Sequence, residues 1–201
     1  MKITYLGHAC FVIEEEGYKI AIDPYGEVPG YTPLHDVEAN EASCSHGHGD
    51  HCYVEGLKLT PKEGSPFRIT KIESFHDDVQ GAKRGPNTIS IFEAGGIKLC
   101  HFGDIGCKLT DEQMNMLKGL DVAMVPVGGH FTIGPKEAKE LCDALKPGII
   151  IPMHYRVGDV GYSVIGPVSD FTDMYDNVTY IDGNSVEVKG GEKGQVWVLK
   201  W

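Results

Sequence analysis

Ser45-His46-Gly47-His48-Gly49-Asp50-His51 sets three imidazoles and a carboxylate within six residues, with glycines between them. Side chains so closely spaced converge only where the backbone turns tightly, and glycine permits such turning without steric cost. Imidazole and carboxylate are the donors that borderline-soft divalent ions such as zinc prefer. The stretch therefore reads as a metal-binding loop. The bland alternative is a histidine-rich surface tract.

Working outward, three more donors follow in order: His76 in Phe75-His76-Asp77, Asp104 in His101-Phe102-Gly103-Asp104, and His154 in Ile151-Pro152-Met153-His154-Tyr155. With H-x-H-x-D-H at its head, this series resembles the signature of the metallo-β-lactamase superfamily. Tyr5-Leu6-Gly7-His8-Ala9 and Ile22-Asp23-Pro24 are similar to that family's opening segments. Arg84-Gly85-Pro86-Asn87-Thr88 and Pro126-Val127-Gly128-Gly129-His130-Phe131-Thr132 resemble a compact bacterial branch that includes ascorbate-phosphate lactonases. The likeness spans most of residues 1–156.

The resemblance implies an α/β (α+β) fold, a metallo-β-lactamase-like αββα four-layer sandwich, as one domain over residues 1–201. It assigns His46, His48 and His76 to a first metal ion and Asp50, His51 and His154 to a second, with Asp104 bridging. Three ligands per ion plus a shared carboxylate leave an open coordination position, as catalytic sites require. The implied chemistry is hydrolysis of a small ester, lactone or phosphoester by a hydroxide held between two divalent ions. Asp50 is the candidate catalytic residue, orienting that hydroxide. The ions would be zinc, with manganese or iron as alternatives. Two other readings are an iron-dependent redox enzyme on the same fold and a metal-binding protein without catalysis. Against the redox reading, His48 stands where the di-iron branch carries glutamate.

His8 and His130 lie in glycine-containing loops and either bind substrate or are hydrogen-bonded structural histidines. Arg84 either pairs with an anionic substrate group or forms an exposed salt bridge. His101 reads as a residue supporting the ligands, and Asp23 as a structural hydrogen-bonding residue beside the metal loop.

Composition bounds the rest. A net charge of −11 disfavours nucleic acid as a partner and leaves a small-molecule substrate. No apolar run reaches the length of a bilayer span, and with Glu14-Glu15-Glu16 following the amino terminus no secretory leader is expected there. The six cysteines form no C-x-x-C pair and read as reduced thiols of a cytoplasmic protein. Oligomeric state is not readable.

Alternating or apolar runs predict strands at Ile3–Leu6, Cys10–Glu14, Tyr18–Ile22, Phe67–Phe75, Thr88–Glu93 and Ile97–Phe102. More follow at Val122–Val125, Ile149–Ile151, Val178–Ile181, Ser185–Val188 and Gln195–Leu199. Thr110-Asp111-Glu112-Gln113 reads as a capping box that opens a helix to about Lys118. Pro135 starts a second helix, with Ala138, Leu141, Cys142 and Leu145 on one face. A third is expected over Pro167–Tyr175. The segment Glu38–Cys44 is too polar for a strand buried on both faces, so its register is open.

Overall fold

Three antiparallel strands, β1 (Lys2–Gly7), β2 (Cys10–Glu15) and β3 (Tyr18–Ile22), begin the chain in the computed structural model, which describes residues 1–201. Their odd–even pattern is what pairs them. Ile3 faces Ile13 and Tyr5 faces Phe11, the two rings stacking at 4.8 Å, while Lys2 and Thr4 face outward. Two further strands follow, β4 (Val37–Ala39) and β5 (Glu41–Ser43). Strand β5 lies parallel to β3 at the sheet edge, where one side is open and glutamate is tolerated. That edge position accounts for the polarity of the segment. Asn40 breaks it in two, its amide oxygen accepting from Lys19 N–H at 2.7 Å. After a 3-10 turn at Val54–Gly56, β6 (Leu57–Leu59) pairs with β4 as a separate ribbon.

The next strands are β7 (Arg68–Phe75), β8 (Pro86–Ala94), β9 (Ile97–His101), β10 (Val122–Pro126) and β11 (Ile149–Met153). They are joined by α1 (Asp111–Met116) and α2 (Pro135–Leu145), and followed by α3 (Ser169–Thr172). The chain closes with β12 (Val178–Tyr180), β13 (Ser185–Glu187) and β14 (Gln195–Val198). Two sheets result, ordered β13-β1-β2-β3-β5 and β12-β14-β11-β10-β9-β8-β7.

The apolar runs of β10 and β11 are buried on both faces, as central parallel strands are. Val122, Met124, Ile149 and Ile151 face Ile3, Phe11, Ile13, Ile20 and Ile22 between the sheets. Ala123, Val125 and Ile150 face the helices, meeting Leu117, Ala138, Cys142 and Phe171. All three helices serve this second core. The other sheet's outer side carries no helix, and its small cluster is Cys10, Tyr25 and Val28 with Leu6, Tyr31, Leu34 and Tyr162.

The capping box forms as expected: Thr110 Oγ1 accepts from Gln113 N–H while Gln113 Oε1 accepts from Thr110 N–H. Helix α3 is shorter than expected. Its flanks tighten into i→i+3 turns, with Asp170 N–H donating to Pro167 O and Tyr175 N–H to Thr172 O. No helix is long and apolar enough to cross a membrane.

The thiol expectation is corrected at one pair. Cys44 and Cys52 form a disulfide across eight residues, Cα–Cα 5.3 Å, while Cys10, Cys100, Cys107 and Cys142 are free. The bond encloses the whole H-x-H-x-D-H stretch. Drawing the ligands together folds the loop back on itself, so its two ends meet. The cytoplasmic reading rested on reduced thiols and loses that support. Loop-closure entropy for this spacing is worth about 2–3 kcal/mol, so a dithiol reductant should lower Tm by roughly 5–10 °C. Scanning calorimetry of the chain and of a Cys44→Ser/Cys52→Ser variant, each with and without reductant, checks this. The variant should start low and not respond.

Candidate metal centre

Strands β7 and β9 run the same way, both antiparallel to β8, and β9, β10 and β11 are parallel. Their carboxyl ends therefore share one rim. His76 follows β7, Asp104 follows β9 and His154 follows β11. Across the cleft between the sheets, the 45–51 loop follows β5, Asp23 follows β3 and His8 sits in the β1–β2 turn. The seven residues implied as ligands meet here, from four segments of the chain.

Asp104 lies at the centre. Its Oδ2 is 3.1 Å from His76 Nε2, 3.2 Å from His51 Nε2 and 3.3 Å from His154 Nε2. None of the three contacts has hydrogen-bond direction, and His46 Nε2, His51 Nε2 and Asp104 Oδ1 are buried without a partner. Donors that crowd together without pairing are arranged as groups that face a common third atom. An unpaired buried polar atom costs about 1–3 kcal/mol, so this cluster fits divalent cations and is poorly explained without them. The imidazole nitrogens of His46, His48 and His76 form one group within 4.8 Å of one another. Asp50 Oδ2 stands 3.9 Å from His51 Nε2 and accepts from Tyr162 OH at 3.1 Å.

The supporting contacts fix which ring nitrogen faces inward. His51 Nδ1 is 2.8 Å from Asp23 Oδ2, His76 Nδ1 is 3.1 Å from Phe131 O, and His46 Nδ1 is 2.9 Å from Ser45 Oγ. Each leaves Nε2 for the site. Asp23 also accepts from Ser45 N–H at 2.7 Å and Ser45 Oγ–H at 2.6 Å, so it is committed to holding the loop, as its sequence reading expected. His101 is buried. It donates from Nε2 to Ala9 O and accepts Gly103 N–H at Nδ1, which sets its tautomer and steadies the turn to Asp104.

Two supports lay outside the sequence reading. Asn87 accepts Asp104 N–H at its Oδ1 and donates to Phe102 O and Ser74 Oγ. Tyr162 reaches Asp50 from a loop 112 residues away. Neither has a local signal, because only the folded chain makes these neighbours.

Backbone strain concentrates at this rim. His8, Asp23 and His154 have left-handed φ of 53°, 47° and 54°, a cost of roughly 1 kcal/mol or more each that the surrounding fold must offset. The glycines of the ligand loop, by contrast, correct the sequence reading. Gly47 and Gly49 are not left-handed, and a Cβ on either would meet nothing within 4 Å. The tight geometry falls on Gly103, with φ of 55°, where a Cβ would collide with the side chains of Ser45 and Asn87. Gly49→Ala is therefore expected to shift stability by no more than ~1 kcal/mol, in either direction. Gly103→Ala should lose both stability and metal content. Melting curves and elemental analysis of the two variants would expose the reverse order.

Charge among these donors is shared unevenly. Burial works to raise the Asp104 pKa, and the imidazoles of His154 and His51 more than reverse it, holding it well below the carboxylate range. For His51, burial disfavours the proton, but Asp104 and then Asp23 raise its pKa well above normal. Burial, then His51, lowers His46 to about 4. Burial, then His154, lowers His8 to about 3. His46 and His8 are thus free bases, whereas His51 must shed a proton to ligate. Metal affinity should accordingly rise with pH across neutrality, with protons released on binding. Titration calorimetry in buffers of different ionisation enthalpy measures this, and affinity unchanged between about pH 6 and 9 would contradict it.

Family comparison agrees with this geometry. A profile described as a beta-lactamase superfamily domain matches residues 2–154. The chain belongs to the metallo-β-lactamase superfamily. Curated relatives named UPF0173 metal-dependent hydrolase include one from Desulforamulus reducens, 31% identical over 194 residues, which cover 78% of this chain and 85% of the relative. Another, from Thermococcus onnurineus, is 30% identical with the same two shares, 78% and 85%. A solved chain from Thermotoga maritima, described as a candidate zinc-dependent hydrolase of the superfamily, is 37% identical with a TM-score of 0.77. That match covers 98% of this chain and 97% of the other. The chain is thus a metal-dependent hydrolase of this superfamily with its mixed α and β fold.

The three residues expected to touch substrate are placed differently. His8 is fully buried among the ligand histidines. Arg84 and His130 flank Phe131, the guanidinium 5.6 Å above its ring, in a cleft of about 670 Å³. None of the seven candidate ligand residues lines that cleft. Asp77 shapes its edge by accepting four N–H groups, from Val79, Gly81, Lys83 and Arg84. A second recess, of about 540 Å³, lies against Asp50 and is lined by Glu27, Tyr53 and Tyr162.

Proposed function

We propose that this chain cleaves a small ester, lactone or phosphoester with a hydroxide held between two divalent ions. The observation that carries the reading is Asp104 Oδ2 within 3.3 Å of three imidazoles from three chain segments, none of them hydrogen-bonded to it. His46, His48 and His76 would hold one ion, Asp50, His51 and His154 the other, and Asp104 both. The donor set suits zinc first, with manganese and iron as the alternatives. Bound ions would supply a nucleophile at neutral pH and polarise the substrate oxygen.

The chain's own residues do the rest. Asp50 is aimed by Tyr162 and presents the carboxylate that orients the nucleophile and takes its proton. The recess beside Asp50 is where the reacting bond would lie. Phe131 joins the centre to the cleft that holds Arg84, since its carbonyl holds His76 and its ring lies under Arg84. An anionic part of the substrate would pair with Arg84 there.

Elemental analysis of protein purified without chelators or a metal-binding tag, followed by a screen of chromogenic phosphodiester, carboxylic ester and lactone substrates, tests the proposal. Two ions per chain with turnover of one class supports it. A single ion would refute the dinuclear arrangement, and two ions without turnover of any of the three classes would refute the substrate assignment.

A further inference from the structure

His8 has two features that the seven-residue ligand set does not explain. It is 0% exposed, and neither ring nitrogen has a hydrogen-bond partner. A buried histidine kept for structure ordinarily satisfies at least one nitrogen, as His101 does with both. The fold nonetheless fixes His8 in place. Its N–H donates to Tyr31 OH at 3.1 Å, and its carbonyl accepts from Tyr5 OH at 2.9 Å and from His154 N–H at 2.8 Å. This holds the residue at a left-handed φ of 53°.

The ring so placed faces the second group of ligands. Its centroid is 4.3 Å from that of His154 and 5.0 Å from that of His51, and imidazole nitrogens of all three lie within 4.8 Å of one another. Nε2 stands 3.6 Å from Asp50 Oδ2, beyond hydrogen-bond distance. Tyr25, Tyr31 and Tyr162 pack around its other edges, their ring centroids 6.0–6.5 Å from that of His8. A substrate group would have to displace this packing to reach it, so the role expected from sequence fits poorly.

We propose that His8 is a ligand of the second metal ion, which makes that site a three-imidazole site of His8, His51 and His154 beside Asp50 and Asp104. The inference rests on the dinuclear reading above. Each ion then has three imidazoles and the shared Asp104, and the second has one carboxylate more. The strain at His8 and its unpaired nitrogens are the features of a residue whose partner is the ion.

Asparagine tolerates a left-handed backbone, so His8→Asn retains the turn and removes the ring. Cobalt(II) titration followed by absorption and calorimetry should show two ions bound by the wild type. In His8→Asn, affinity for one of them should fall by more than the roughly 10–100-fold that loss of an outer supporting residue costs. The d–d bands of that ion should change while the other ion is retained. A variant that binds both ions with wild-type affinity and spectrum overturns the inference alone. A wild type that takes up only one overturns it together with the dinuclear reading. Should the variant not fold, the wild type still decides. With cadmium-113 and nitrogen-15 histidine labels, six imidazoles coupled to metal, His8 among them, support the proposal, and five without His8 refute it.

Discussion

Asp104→Asn is expected to leave the fold in place and, on the proposed dinuclear reading, to reduce the metal content from two ions per chain to one or none. The side chains are nearly isosteric, and the Asp104 N–H bond to Asn87 is a backbone contact that the substitution retains. What disappears is the anionic oxygen within 3.3 Å of His51, His76 and His154. A neutral amide oxygen would not offset the charge of the two ions proposed to share this position. Turnover of whichever substrate the screen identifies should fall at least ~10³-fold, about 4 kcal/mol of transition-state stabilisation. A ligand at 100 times its dissociation constant stabilises a protein by about 2.7 kcal/mol, so added metal should raise Tm in the wild type. That rise should be absent from the variant. Undiminished metal content with a full thermal response would show that Asp104 does not bridge.

Asp23→Ala is expected to have the largest effect on stability. The carboxylate is fully buried and satisfies three donors within 2.8 Å, at Ser45 N, Ser45 Oγ and His51 Nδ1. Removing it strands those groups and leaves the His51 ring free to rotate. Loss of one partner from a buried charged network costs about 3–5 kcal/mol. For a chain of this size that corresponds to a fall in Tm of roughly 10 °C. Metal affinity should fall roughly 10–100-fold, because the ring is no longer held with Nε2 toward the site. Asp23→Asn should retain part of the stability and little of the affinity, since an amide can accept from Ser45 but cannot balance the His51 proton. Two alanine effects no larger than those of a surface substitution would contradict this role.

The seven candidate donors could be named from the sequence because donor chemistry depends on residue type, and His76 and His154 each directly follow a run of recognisable period. The long strands and helix α2 were legible for a similar reason, since a period of two or of 3.6 marks a face to be buried. Strands β4, β5 and β6 were not. They are three residues each and lie at edges, where no buried face imposes a pattern. Helix α3 was overextended because propensity does not distinguish a helix from consecutive i→i+3 turns.

By itself, then, the sequence determined which residues offer metal-binding donors, the strands that lead to His76, Asp104 and His154, and the superfamily. Tertiary structure alone decided what each donor faces. It paired Cys44 with Cys52, moved steric necessity from Gly47 and Gly49 to Gly103, and brought Tyr162 to Asp50. It also buried His8 beside His51 and His154. The physical reason is the same throughout. Donor chemistry is a property of a residue, whereas pairing, burial and close approach are properties of two segments that meet only when the sheets close on each other.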